Sequence, residues 1–331
     1  MGRSIGVLAT GHLWAGIVEG AELGNVKMYP GPGEPQVDLK TVPAGDIVAI
    51  LRDQIRALAA DGPIESVGAG FPGVIRGGVI LESPNLGQLK GLHVADELRA
   101  ALKAGGIDVP VIAINDADAL AAGIAATHDS MDLLVRVWYL GDGIGYGRHP
   151  HNDGVWEAGH MVVTLDPKER YCGCGGIGHL EGIMGHRAMR LRFLDMEPEE
   201  VFGAARHGDR RTGEFLKLWH RALAAGTANS IHLDGPGRFY LAGPNADFVD
   251  LRMLGGYLQE MVKMSPLQGS YFQIVPTSHD MAVIGALCHR LHNGLPDLLE
   301  PEGQDEQRPE PVAVIAAPAI VFLEQGAQEL R

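Results

Sequence analysis

Cysteine is scarce in this chain: three residues in 331, two of which, Cys172 and Cys174, are one residue apart. Thiols that close in sequence seldom bridge one another, so a disulfide framework is excluded and a metal-binding pair is the better reading. Cys288 lies in an apolar stretch and reads as a small core residue. Basic residues are in deficit as well. Lys and Arg number 27 against 41 Asp and Glu, a formal charge of −14. Nucleic acid and anionic membranes are bound chiefly by Lys and Arg neutralising phosphate, so both are excluded as expected partners. No apolar run reaches the roughly 20 residues that span a bilayer, and the N-terminus has no basic, apolar, small-residue secretory pattern. A cytoplasmic location is the expectation.

What is present is the composition of a globular protein, 46% hydrophobic and 21% charged, which argues against a fibrous or disordered chain. A length of 331 residues exceeds what one core usually organises and points to about two domains. The opening SIGVLATGHLWAGIVEG reads as two apolar strands around the turn Thr10-Gly11-His12, followed by a Gly/Pro loop at 30–35. Helical spacing covers 46–60 and 92–104, and VGAGFPGVI and VPVIAIND read as strands. From Leu133, LLVRVWYLGDGIGYG repeats the strand, glycine turn, strand order, and RFYLAGPN and SYFQIVPTS are later strands separated by a helix. Strands alternating with helices imply α/β units. The expected organisation is an N-terminal α/β domain over 1–115 and a C-terminal α/β domain over 116–295, facing a central cleft. Residues 296–311 are rich in Pro and acidic side chains and read as a solvated linker, leading to an apolar extension within 296–331.

The most specific signal runs from Glu157 to Glu181. His160, Cys172, Cys174 and His179 offer two imidazoles and two thiolates within 20 residues, a donor set for tetrahedral zinc. Four protein ligands leave no open position, so the ion is expected to be structural, and the glycines at 173, 175, 176 and 178 let the chain fold tightly around it.

The segment resembles the ROK family (repressor, open reading frame, kinase), whose sugar kinases carry Gly-Glu-x-Gly-His followed by Cys-x-Cys-Gly-x-x-Gly-Cys-x-Glu. Trp156 replaces the glycine before Glu157, and His179 replaces the third cysteine while keeping a zinc ligand. The resemblance extends through Ser83-Pro84-Asn85-Leu86, Asn115-Asp116-Ala117 and Ala242-Gly243, roughly residues 4–292. It implies an α/β, two-domain actin-like (ribonuclease H-like) fold, a homodimer, and a sugar pocket. Asn85 and Asn115 are then hydroxyl-binding amides, Glu157, His160 and Glu181 contact ring hydroxyls, and Asp116 is the catalytic base. Carboxylates and amides at strand ends suit a ligand with many fixed hydroxyls.

The phosphate machinery departs from the family. The first turn, Asp-x-Gly-Gly-Thr-Lys in such kinases, is replaced by Leu8, Ala9, Thr10, Gly11, His12 and Leu13. The second, Gly-Thr-Gly-x-Gly with its hydroxyl beside the transferred phosphate, is Gly141-Asp142-Gly143-Ile144-Gly145, and an anionic Asp142 repels phosphate. Ala242-Gly243-Pro244-Asn245 keeps part of a third glycine turn, with a proline removing one backbone donor. Nucleotide binding is therefore doubtful on the sequence. The expectation is a carbohydrate-active enzyme that has lost ATP-dependent transfer, with Asp116, Asp142 and His12 carrying out acid/base chemistry such as glycoside hydrolysis, epimerisation or dehydration. Turn roles for His12 and Asp142 are the competing readings. The alternatives are a divergent kinase with Asp116 as base and ATP or polyphosphate as donor, and a non-enzymatic sugar sensor. His149, His151, His186, His279 and His289 are candidates for the cleft rim, and His149 and His151 for a second metal site.

Overall fold

The structure, a computed structural model, describes residues 2–151, 157–276, 279–292 and 321–322, with side chains of the last helix described through Cys288. Trp156, the side chain of His289, and residues 296–331 apart from 321–322 lie outside the described residues. No described helix is long and apolar enough to cross a membrane.

Two five-stranded sheets organise the chain. In the first, β1 (Ser4–Ala9), β2 (Leu13–Glu19) and β3 (Glu22–Tyr29) form an antiparallel meander, and β4 (Val67–Phe71) and β7 (Val111–Asn115) add parallel to β1. The order is β3-β2-β1-β4-β7, with a small hairpin of β5 (Val74–Arg76) and β6 (Val79–Glu82) beside it. The second sheet has the order β12-β11-β10-β8-β9, from β8 (Val135–Leu140), β9 (Ile144–His149), β10 (Arg238–Ala242), β11 (Tyr271–Ile274) and β12 (Val321–Phe322). Here β8 and β9 pair antiparallel while β10, β11 and β12 run parallel to β8. The α/β architecture is thus as expected, and each sheet starts with a hairpin closed by a glycine turn.

Helices α1 (Ala44–Ala59) and α2 (Val94–Ala104) close the outer face of the first sheet over a core that includes Ile47, Leu51, Ile55, Leu98 and Phe71. The outer face of the second is closed by α4 (Glu181–Met184), α5 (His186–Arg192), α6 (Pro198–Arg206), α7 (Arg210–Asp234) and α8 (Leu251–Met261), around Trp138, Trp219 and Phe239. A third core lies between the sheets, where α3 (Asp116–Thr127) packs against α9 (His279–His292). Their seam is made of small residues. A Cβ on Gly123 would stand 1.6 Å from the Met281 carbonyl oxygen, and one on Gly285 1.8 Å from that of Ala119. Only glycine permits this approach. α9 also lies on β1 and β4, where Gly6 and Gly68 leave room for its backbone. Cys288 is buried in this central core, and burial pushes its thiol up to about 11.

Candidate active site

β7 runs directly into α3, so Asn115 and Asp116 sit where a strand ends and a helix begins, beside the seam between the sheets. Asn115 caps the helix: its side-chain oxygen accepts the N–H groups of Ala117 at 2.8 Å and Asp118 at 3.2 Å. Its Nδ2 donates to the carbonyl of Gly73 at 2.8 Å, which leaves one N–H for a ligand. Half-buried Asp116 accepts the Ala117 N–H at 2.9 Å. Burial raises its carboxyl to about 7 against that hydrogen bond, and the charges of Asp118 and Glu157 add to the rise. A carboxylate with a proton affinity near neutrality can take a proton from a hydroxyl and release it again.

The metal-type ligands converge as expected. Cys172 Sγ lies 3.4 Å from His160 Nδ1 and 3.3 Å from Cys174 Sγ, Cys174 Sγ lies 3.3 Å from His179 Nδ1, and the two Nδ1 atoms are 3.4 Å apart. Tetrahedral zinc with bonds of about 2.0–2.3 Å sets ligand separations of about 3.3–3.8 Å. Donor set and spacing therefore fit a four-coordinate ion, and the sulfurs are too far apart for a disulfide. Among the described residues this is the one such group, and His149 and His151 form no second one. Glycine is required inside the loop: Gly178 has φ +72, and a Cβ on Gly176 would overlap the His179 ring.

With Nδ1 of His160 turned to the ligand cluster, its Nε2 faces outward, 4.0 Å from Glu157 Oε2. Burial raises the Glu157 carboxyl, Glu181 adds to this and His160 opposes it. Glu181, the first residue of α4, links three parts: Oε2 accepts the Ile144 N–H at 3.2 Å and Oε1 lies 3.5 Å from Cys172 Sγ. The structure thus brings Asp116, Glu157, His160 and Glu181 into one electrostatic neighbourhood, with Glu157 coupled to each of the others. Asn85 is exposed, in a loop held by the Leu86 N–H donating to Ser83 Oγ at 3.3 Å.

The two glycine corners are less populated. In the first, Thr10 N–H donates to His12 O at 3.0 Å. The His12 ring lies 6.1 Å from Trp14, which stacks on His279 at 4.9 Å. In the second, Gly141 N–H donates to Gly143 O, and Asn245 is pinned behind it through its N–H to Leu140 O. The Asp142 side chain is 88% exposed, with Oδ1 3.7 Å from Nδ1 of His186. Among the described residues neither His12 nor Asp142 makes a hydrogen bond or ion pair with Asp116.

Two residues, Asp118 and Tyr139, escaped the sequence reading, and His186, a rim candidate, finds a partner. Asp118 is buried, accepts the Arg148 N–H at 2.9 Å and lies 3.2 Å from Nδ1 of His151. The Asn-Asp-Ala-Asp run carries this second acid two residues beyond Asp116. His186 is mostly buried beside Asp142, and Tyr139 precedes the second turn on β8. His149 is no rim residue: it is buried, with Nε2 2.9 Å from the Met131 carbonyl oxygen.

The ROK family profile matches residues 35–289. The chain belongs to the ROK family. A glucokinase of Pyrobaculum calidifontis is 28% identical over 249 residues, 70% of this chain and 81% of that protein. The ROK hexokinase of Thermus thermophilus superposes with a TM-score of 0.70 at 20% identity, covering 87% of this chain and 97% of that one. A ROK glucokinase of Streptomyces griseus, solved with glucose and AMPPNP, gives 0.60 at 22% identity, covering 86% and 98%. These neighbours establish the actin-like ROK fold. The expectation of glycoside hydrolysis is overturned by the same findings, since these three relatives are named as a hexokinase and two glucokinases. The physical ground for that expectation also weakens. It required Asp142 to crowd the phosphate position as a bare charge, whereas Asp142 stands in water beside His186 and its charge acts on Arg190.

Proposed function

We propose that this ROK protein is a sugar kinase that moves a phosphoryl group from a phosphoanhydride donor to a hydroxyl of a hexose. The observation that carries the reading is Asp116: a half-buried carboxylate at a strand-to-helix junction, with its proton affinity raised to about 7, in the neighbourhood of Glu157. The glucokinase relative, aligned over 70% of the chain, supports the hexose as substrate class.

Glu157, Glu181 and the outward Nε2 of His160 would hold sugar hydroxyls, and Asn115 would offer its remaining N–H. Asp116 would accept the proton of the attacking hydroxyl as the new P–O bond forms and the bond to the donor breaks. His160, Cys172, Cys174 and His179 would hold zinc, whose chemistry here is to fix the loop and orient His160. With Leu8 and Leu13 in the first turn, that corner offers a donor backbone N–H groups in place of charged side chains. ATP is the expected donor and polyphosphate the alternative.

The test is phosphorylated sugar formed from a hexose panel with Mg-ATP or polyphosphate. Turnover that Asp116→Asn lowers by about 10²–10⁴-fold supports the reading; no product with either donor rejects it. The loss of charged groups at Leu8 and Leu13 favours a second reading, a sugar sensor, in which Asp116→Asn binds sugar normally and no donor is consumed.

A further inference from the structure

Phosphoryl transfer places charge on the three equatorial oxygens of the moving group, and donors aimed at them supply much of the catalysis. The second glycine corner offers none from its central side chain, because Asp142 is an acceptor. A hydroxyl nevertheless stands close by. Along β8, Val135, Val137 and Tyr139 face the central core, while Trp138 and Leu140 face the outer one, so Tyr139 is the last residue on the side of α3. It pairs in register with Gly145, the glycine that begins the return of the hairpin. A Cβ on Gly145 would touch both the Cβ of Tyr139 at 3.3 Å and the Cβ of Ala117 at 3.7 Å. The Tyr139 side chain therefore starts across Gly145 from Ala117, the residue after Asp116. Its ring then passes over the turn: Cε1 lies 3.1 Å from where a Gly141 Cβ would be. A side chain at Gly141 would press on the ring, and one at Gly145 on its Cβ.

We propose that the Tyr139 hydroxyl donates a hydrogen bond to the phosphoryl group in transit, supplying from β8 the donor that the turn lost at Asp142. The inference rests on the kinase reading. Tyr139 keeps its proton throughout, while the proton released by the sugar hydroxyl goes to Asp116. Burial, then the charges of Asp116 and of Asp142, raise the phenol above its ordinary value, so it stays a donor across the neutral range. That both carboxylates act on it fits a side chain lying between the base and the second corner.

Tyr139→Phe removes the hydroxyl and keeps the ring. With the wild-type protein turning over its sugar, the variant should lose kcat by about 10²-fold while KM for the sugar stays within about twofold. The double variant Tyr139→Phe/Asp142→Thr puts a hydroxyl back in the turn and should recover most of that loss. Wild-type kcat in Tyr139→Phe overturns the proposal and leaves the kinase reading standing. So does a low kcat that the added threonine fails to rescue, since the loss is then one of packing. Absence of any phosphoryl transfer by the wild-type protein overturns the kinase reading and this proposal with it.

Discussion

The carboxylate of Asp118 accepts the backbone N–H of Arg148 at 2.9 Å, which fastens the first turn of α3, and with it Asp116, to β9. The other oxygen lies 3.2 Å from Nδ1 of His151, at the head of the segment that leads to Glu157 and His160. One buried acid thus joins the first turn of α3 to β9 and to His151, and places a negative charge near Asp116.

Asp118→Asn should separate these two roles. The amide oxygen keeps the bond to Arg148, but the like charge that helps raise Asp116 is gone. Asp116 must be ionised to act, so activity rises as pH climbs through about 7. Without the charge of Asp118 the carboxyl ionises more readily, and the acid limb of kcat/KM against pH should move to lower pH. Burial, the larger cause, persists, so the limb should stay above the ordinary carboxylate value. An unmoved limb would remove Asp118 from the account of the base.

The same carboxyl makes a stability prediction of definite sign. Its folded value of about 7 lies above its ordinary 3.8, so between those values the native state holds a proton that the unfolded chain has released. Stability from this group is therefore complete below about pH 4 and is lost as pH rises towards and past 7. The difference between the two values corresponds to up to about 4 kcal/mol. Asp116→Asn, which has no charge to bury, should raise the Tm at pH 8 and change it little at pH 4. Melting curves at the two pH values check this. Equal shifts at both would mean that burial does not oppose the charge.

How far this site was legible depended on what each residue needed from the rest of the chain. The hairpins Ser4–Glu19 and Val135–His149 are local, with apolar strands around a glycine turn, and both appeared where the sequence put them. α1 and α2 were readable from spacing to within two residues, at Ala44–Ala59 and Val94–Ala104. The metal-type cluster was readable because ligand type and spacing define it. β3, largely exposed, carried no apolar pattern, and the 25 residues of α7 went unread. Orientation was the other gap. Nothing local indicates that Asp142 turns to His186, or that the Asn115 Nδ2 is taken by the Gly73 carbonyl, because both follow from packing between distant segments. Asp118 was visible as a residue, but its partners lie 30 and 33 positions away.

The four-residue cluster predicts one tightly held zinc per chain. Cys174→Ser removes its exposed thiolate ligand and should abolish that stoichiometry by elemental analysis. Because the ion would hold His160 through one nitrogen while the other faces Glu157, sugar affinity should weaken as well, by about 10–100-fold. Zinc lost with sugar affinity unchanged would uncouple the loop from the pocket.

Two glycine-to-alanine changes should move stability in opposite directions, although sequence alone treats them alike. Both Gly123 and Gly203 lie inside helices, where alanine is intrinsically better by up to about 1 kcal/mol. At Gly203, in α6, a Cβ meets nothing within 4 Å, so that gain should appear as a higher urea midpoint. At Gly123 the new carbon would stand 1.6 Å from the backbone oxygen of Met281, and backbone, unlike a flexible side-chain tip, yields only if α3 and α9 separate. Overpacking of this kind costs about 1–3 kcal/mol or more, which exceeds the helix gain, so Gly123→Ala should lower the midpoint. The change should also disturb turnover, since Asp116 rides at the start of the displaced helix. A stabilised, fully active Gly123→Ala protein would mean that the helix seam does not hold the two sheets at the spacing the site requires.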